Sequence, residues 1–169
     1  MRWYFSRPTS DTNTEFETII RRHFCMLHLE NPNAHLHQIG YSSMGIEYLF
    51  FAIAMLPAYD ACIALELPNG MWSNGVSREV NWFHKNRRPV FKLCYDQTPD
   101  YEWTFHLKLL SEPIGECCSV EQTRALVHYY QSRPLGGRSH ADHCERLHAP
   151  SWTELGLPEP QRTEHPPLY

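Results

Sequence analysis

The sequence lacks the features that would tie the chain to a membrane or to nucleic acid. It contains no uninterrupted run of about 18 apolar residues, the length a membrane-spanning helix needs. Its first residues, MRWYFSRPTS, have neither the apolar core nor the cleavage site of a signal peptide. The formal charge is −4 and the Lys and Arg residues are scattered, which argues against a nucleic-acid surface. We therefore expect a cytoplasmic protein that binds no membrane and no nucleic acid.

The cysteines of the sequence also lack the spacing that is typical of a disulfide-bonded protein. Six cysteines are present, and their positions do not form the regular pattern of a disulfide framework. Cys62 and Cys94 fall in apolar segments, where a reduced thiol is an ordinary small hydrophobic group. We expect all six to be thiols.

One cluster of metal-capable side chains stands near the C-terminus, at His140, His143, Cys144 and His148. Their spacing would place them on one face of a helix, but HADHC is not a standard zinc spacing. Eleven histidines in the chain make chance clusters common. We therefore predict no metal site, and a solvated His-rich helix instead.

The length and composition predict one main domain. A chain of 169 residues with 42% apolar residues is long enough for one real core and too short for two. Beyond Gly137 the composition changes to His, Pro and Glu, which cannot bury a core of its own. We predict a domain over residues 1–135 and an extension over residues 136–169 that packs on its own domain or on a partner chain.

Strand-like and helix-like segments alternate along the first half of the chain. The predicted strands are Arg2–Ser6, Phe24–Pro32, Asp60–Leu67 and Arg88–Tyr95, and the predicted helices are Glu15–His23, Gly45–Leu56 and a segment from about Gly75 to Lys85. This alternation predicts a three-layer α/β/α fold with a mainly parallel, Rossmann- or flavodoxin-like sheet. The alternating segment Tyr101–Leu110 adds an edge strand, and the Ser119 and Gln122 capping pair starts a last helix.

Glu79 is the residue that local structure does not explain. In a helix that begins near Gly75, it falls inside the inward apolar stripe of Val76, Val80 and Phe83. A buried carboxylate without a partner would cost several kcal/mol, so Glu79 must pair elsewhere or face a polar cleft. One interpretation is a helix-start acid paired with a distant Arg; the other is a catalytic carboxylate.

The neighbouring residues favour the catalytic interpretation. Ser73, Asn74 and Gly75 form a helix start that is suited to bind an anion such as a phosphate. The loop at the end of the first strand and two aromatic rings could complete a nucleotide pocket. These further candidates are Tyr4, Ser6, Arg7, Thr9, Ser10 and Trp72.

With these residues the sequence resembles the nucleoside 2-deoxyribosyltransferase-like superfamily, which includes 2'-deoxynucleoside 5'-monophosphate N-glycosidases and short phage and bacterial relatives. The resemblance covers roughly residues 2–95. It is sharpest in DACIALELPNGMWSNGVSREV followed by RRPVFKL, with weaker support from YFSRPTS and LENP. The positions that match the family pattern are Asp60, Ser73, Gly75, Glu79 and Pro89.

The resemblance implies a nucleotide N-glycosidase or 2'-deoxyribosyltransferase without cofactor or metal. Glu79 would be the nucleophile at the anomeric carbon. Asp60 would either take part in the reaction or hold other residues of the site in position. Ser73, where transferases of unphosphorylated nucleosides tend to have Asp, favours a nucleoside 5'-monophosphate. The family also implies a homodimer or larger homo-oligomer whose subunits complete each other's sites, and a terminal Tyr, here Tyr169.

The chain departs from the family at the second carboxylate, which usually lies in the helix before the Asp60 strand. Counting places Ala52 there, with Glu47 and Asp11 as possible substitutes. Two alternatives therefore stay open: a catalytically degenerate protein that binds a nucleotide or a partner, and an NAD-type glycohydrolase.

Overall fold

Four strands form one mixed sheet in the computed structural model, which describes residues 1–30, 54–138 and 150–158. The strands are β1 (Trp3–Ser6), β2 (Ala61–Ala64), β3 (Val90–Gln97) and β4 (Trp103–Leu109), in that spatial order. β1 and β3 each pair with β2 in parallel, whereas β4 pairs with β3 in antiparallel fashion. β4 runs back because only residues 98–102 connect it to β3, and a parallel return needs a much longer crossover. The predicted α/β class is confirmed, with a mixed sheet.

The three helices in the described parts of the chain begin where the sequence places their caps. They are α1 (Glu15–His23), α2 (Asn74–Lys85) and α3 (Val120–Gln131). The side chains of Thr14, Ser73 and Ser119 each accept a backbone N–H from the first turn. The reciprocal capping box predicted at α3 is confirmed, because Gln122 also accepts from the backbone of Ser119. The predicted bounds of all three helices are confirmed within a residue or two.

Strand β2 is buried along its whole length, and its side chains belong to two core clusters. Tyr4, Cys62 and Ala64 share a core cluster with Val80 and Phe83 of α2. On the opposite face, residues that include Phe5 and Ile63 pack with the apolar side of α1. Each fully buried Phe or Ile contributes about 1.5–3 kcal/mol. The continuous apolar character of Asp60–Leu67 is therefore explained by burial on both sides.

The edge strand β4 has the predicted alternation. Trp103 and Phe105 are half-buried against the α1 side of the sheet, and the rings of Phe16 and Trp103 lie 4.9 Å apart. Thr104 and His106 between them are exposed. The aromatic stripe is thus part of the core, as expected from its period of two.

The predicted strand Phe24–Pro32 is wrong over most of its described length. Cys25–Leu27 form a 3-10 turn, and His28 adopts a left-handed conformation with φ of 48° that ends any extended run. Glu30 alone reaches the sheet, through an isolated parallel bridge to Tyr4. A short apolar run is compatible with a strand and with a turn. Here Phe24 and Leu27 pack against the core from a turn.

Several predictions concern residues outside the described parts. The predicted helix Gly45–Leu56 lies there except for its end, where Leu56–Ala58 forms a 3-10 turn. Of the predicted extension, Trp152 and Leu155 pack against a cluster that contains Leu126 and Tyr130. In the described residues, no helix is long and apolar enough to cross a membrane.

Candidate functional site

Glu79 lies on the face of α2 that packs on the sheet, as its position in the helix predicts. Only 3% of the residue is exposed, and Val76, Val80 and Phe83 flank it in the same buried stripe. The helix places it there because residues three and four apart share a face. A carboxylate buried to this extent needs hydrogen-bond partners outside its own helix.

Two hydroxyl groups of β1 bind the Glu79 carboxylate. The Tyr4 hydroxyl donates to Oε1 at 2.6 Å, and the Ser6 hydroxyl donates to Oε2. Tyr4 and Ser6 alternate along β1 and so point to the same face. The rings of Tyr59 and Phe83 hold the Tyr4 ring, at 5.2 and 5.8 Å. The two hydroxyl donors fix the Glu79 side chain in one orientation.

The Cys62 thiol lies close enough to Glu79 for a negative charge there to affect its pKa. Burial raises the pKa of the Cys62 thiol well above its ordinary value, and the negative charge of Glu79 raises it further. Cys62 pairs in register with Tyr4 in the sheet, which places it under the same part of α2. The carboxylate therefore acts electrostatically on the core around it.

Two of the backbone N–H groups at the start of α2, where the sequence predicts an anion site, have partners within the chain. The backbone N–H of Asn74 donates to the Thr123 hydroxyl of α3 at 2.9 Å, and that of Val76 donates to the capping hydroxyl of Ser73 at 3.3 Å. These two N–H groups are already satisfied, so they are not available for a phosphate. Gly75 lies between them in the first turn, and α3 and the preceding loop cover this end of the helix.

The loop after β1 is divided between the two faces of the sheet. Ser6 contacts Glu79 on the α2 side, whereas Arg7 forms a buried ion pair with Glu17 of α1 at 3.0 Å. Arg7 also donates to the Thr12 hydroxyl at 2.7 Å. The following residues, Thr9 and Ser10, belong to a 3-10 turn on this loop. The structure therefore brings only Ser6 and Tyr4, among the predicted first-strand residues, to Glu79.

Asp11, the possible substitute for the second carboxylate, is bound by Arg138. Arg138 donates Nε to Oδ1 at 3.0 Å and Nη2 to Oδ2 at 2.8 Å, and both side chains are fully buried. Burial lowers the pKa of Arg138, but the charge of Asp11, followed by contributions from Tyr95, outweighs it and raises the pKa. Arg138 also donates to the backbone carbonyl of Glu66. Asp11 is therefore neutralised away from Glu79.

Asp60 lies at the other end of the sheet from the start of α2. It precedes β2, its side chain is 59% exposed, and it accepts the backbone N–H of Arg2 at 2.7 Å. The carboxyl ends of β1 and β2, where Ser6 and Ala64 pair, are about 13 Å further along the strands. The structure does not bring Asp60 to Glu79.

Glu66 and Lys92 are charged residues of this face that the sequence reasoning missed. They form an ion pair of 2.6 Å, and the Lys92 ammonium lies 5.7 Å from the centre of the Trp72 ring. Lys92 is a cation inside the buried strand RPVFKLCY, which is the same kind of signal that singled out Glu79. This signal could have found it.

The comparisons and the remaining candidates add no further assignment. No protein-family model, no curated protein and no solved structure matches the chain. Glu47, Ala52, Tyr169 and the His140 cluster lie outside the described residues. Within the described part of the chain, no group of three or more metal-capable side chains comes together.

Proposed function

We propose that the protein is a nucleotide N-glycosidase or 2'-deoxyribosyltransferase of the nucleoside 2-deoxyribosyltransferase-like superfamily. It would cleave the base–sugar bond of a (deoxy)nucleoside 5'-monophosphate, with Glu79 as nucleophile. The proposal includes a three-layer, Rossmann- or flavodoxin-like arrangement, a homodimer or larger assembly and a cytoplasmic location. The observation that carries it is the Glu79 carboxylate, held through both oxygens by Tyr4 and Ser6.

The chemistry follows from this geometry. An oxygen of Glu79 attacks the anomeric carbon, the carbon–nitrogen bond to the base breaks, and its electron pair leaves with the base. Water or a second base then attacks the same carbon and releases Glu79 as carboxylate. Tyr4 and Ser6 each donate to a different oxygen of Glu79 and so orient the carboxylate for attack. Hydroxyl donors fix the direction of attack without adding a positive charge next to the nucleophile.

Product chromatography over a panel of nucleosides, nucleoside monophosphates and NAD tests the proposal. We expect free base from at least one monophosphate with the wild-type protein, and no release above the buffer blank with Glu79→Gln. Glu15→Gln, which changes an exposed acid of α1, is the matched control and should leave release unchanged. Release by a folded Glu79→Gln variant at the wild-type rate would show that Glu79 is not the nucleophile.

A nucleotide-binding protein without cleavage activity is the second candidate. It is favoured by the positions of Asp60 and Asp11, neither of which lies beside Glu79 as a second catalytic carboxylate. Thermal unfolding with each monophosphate separates the two candidates, because a ligand of the folded state raises its Tm even when no reaction follows. A raised Tm without base release would favour binding alone. Release of nicotinamide from NAD alone would instead favour an NAD-type glycohydrolase.

A further inference from the structure

We propose that Lys92, positioned by Glu66, donates the proton that the leaving base takes. This inference rests on the proposed function of Glu79. Lys92 belongs to β3, whereas the groups that hold Glu79 belong to β1. A substrate whose leaving group departs without a proton would not need Lys92.

Sheet register aligns the two groups. Ser6 pairs with Ala64, and Ala64 pairs with Lys92, so the three residues form one row across β1, β2 and β3. Ser6 binds the nucleophile Glu79 at one end of the row, and Lys92 stands two strand spacings away, about 10 Å between Cα atoms. The residue between them is Ala64, whose short side chain is buried in the core cluster that packs on α2.

The neighbours of Lys92 show that it lies on the Glu79 side of the sheet. Val90, two residues earlier on β3, belongs to the same core cluster as Val80 of α2. Trp72, whose ring lies near the Lys92 ammonium, packs against that cluster too. Alternate residues of a strand share a face, so Lys92 lies on the side of the sheet on which Glu79 packs.

Exposure separates this ion pair from the buried one. The side chains of Lys92 and Glu66 are 29% and 19% exposed, whereas those of Arg138 and Asp11 are fully buried. A substrate can therefore reach the ammonium of Lys92, and the carboxylate of Glu66 keeps it in place at 2.6 Å. The Trp72 ring adds a cation–π contact that restricts the ammonium further.

The proton balance of the two steps is simple. In the first step Glu79 forms its bond to the anomeric carbon, the base leaves with the electron pair, and a proton from Lys92 Nζ neutralises the base. Lys92 is then a neutral amine. In the second step the oxygen of water bonds to the anomeric carbon, its proton returns to Lys92, and the ester bond to Glu79 breaks to restore the carboxylate.

The variant Lys92→Arg tests this role, because an arginine side chain keeps the positive charge but does not give up a proton in a protein. The experiment compares two substrates at mildly alkaline pH: the best natural monophosphate, and 4-nitrophenyl 2-deoxyribofuranoside 5-phosphate, whose nitrophenolate leaves without a proton. With Lys92→Arg we expect base release from the natural substrate to fall about 10²–10⁴-fold, and nitrophenolate release to change little. Lys85→Arg, on the exposed end of α2, is the matched control.

Glu66→Gln tests the positioning residue. It should lower kcat for the natural substrate with little change in KM, and leave nitrophenolate release near the wild-type rate. Glu66→Asp should recover part of the lost kcat, since it restores a carboxylate.

The outcomes separate the two proposals. Equal losses on both substrates with Lys92→Arg would assign Lys92 to substrate binding and overturn the proton-donor role. Unchanged release of the natural base in folded Lys92→Arg and Lys92→Met variants would overturn it as well. A wild-type protein that cleaves neither substrate would overturn the proposed function itself, and this inference with it.

Discussion

Glu79 and Asp11 are carboxylates buried near opposite faces of one sheet, and they are held in different ways. Asp11 receives two hydrogen bonds from the Arg138 guanidinium, a positive group that matches its shape and cancels its charge. Glu79 receives hydrogen bonds from the hydroxyls of Tyr4 and Ser6, which orient it and add no charge. Asp11 packs near the α1 side, where Arg138 contacts the Phe16 ring. Glu79 lies on the face of α2 that packs on the sheet.

The difference indicates which carboxylate is structural and which is suited to chemistry. A guanidinium that occupies both oxygens of Asp11 satisfies the group and ties the loop after β1 to a residue 127 positions later. Hydroxyl donors add no charge of their own to Glu79, and a negative charge there raises the pKa of the neighbouring Cys62 thiol. The two carboxylates thus differ in the groups that hold them, a guanidinium at Asp11 and two hydroxyls at Glu79.

The largest effect is expected where the neutralised pair is broken. Arg138→Leu leaves Asp11 buried and unpaired, which should lower the free energy of unfolding by about 3–5 kcal/mol. Urea unfolding followed by circular dichroism measures the loss. Arg124→Leu, an exposed arginine of α3, is the control and should change stability little.

If Arg138→Leu does not fold, a double variant that removes both charges of the pair still tests whether Arg138 compensates the charge of Asp11. Asp11→Asn with Arg138→Met removes both charges, so it should be more stable than Arg138→Leu alone. If the single and the double variant were equally stable, the pair would not carry the charge compensation that its geometry indicates.

The next effect concerns the hydroxyls that hold Glu79. Tyr4→Phe removes a donor to a buried carboxylate and should cost about 1.5–3 kcal/mol of unfolding free energy, with slower base release. Tyr101→Phe removes a hydroxyl from a residue that is 77% exposed and serves as the control. A Tyr4→Phe protein with wild-type stability and release would mean that the hydrogen bond to Glu79 contributes nothing.

These two carboxylates also show what could be predicted from sequence. Thr14, Ser73 and Ser119 are residue types that commonly cap helices, and each of them caps the start of a helix here. Such signals are local in the sequence. The inward position of Glu79 follows from helical periodicity, which is local too. The sequence therefore predicts where an unexplained charge stands in its own element.

The partners of such charges depend on tertiary structure. Arg138 reaches Asp11 from beyond α3, and nothing near Asp11 in the sequence indicates it. The sequence likewise does not show that the Thr123 hydroxyl of α3 accepts the backbone N–H of Asn74 at the start of α2. A local pattern shows which groups need partners, and only the packing of distant segments shows which of them are already satisfied.

A smaller effect tests whether Glu79 is charged. Because the negative charge of Glu79 raises the pKa of Cys62, Glu79→Gln should lower the pKa of that thiol, while burial keeps it above its ordinary value. The Cβ chemical shift of Cys62 over an alkaline pH series measures it. A thiol stays neutral in the folded protein below this raised pKa, so its contribution to stability is lost as the pH rises through it. An unchanged Cys62 pKa in Glu79→Gln would mean that Glu79 carries no charge in the native protein.

The smallest effect is expected at Asp60, a third carboxylate that is neither neutralised by a buried cation nor buried under a helix. Its side chain is 59% exposed and its contacts are with the N-terminal segment, through the backbone N–H of Arg2 and the N-terminal amine of Met1 at 4.0 Å. Exposed ion pairs contribute little, so Asp60→Asn should change stability by no more than about 0.5 kcal/mol. Base release should also stay at the wild-type rate, because Asp60 stands at the far end of β2 from the paired residues Ser6 and Ala64. A loss of release as large as that of Glu79→Gln would place Asp60 at the reacting carbon, which would require a different arrangement of β2 against α2 during the reaction.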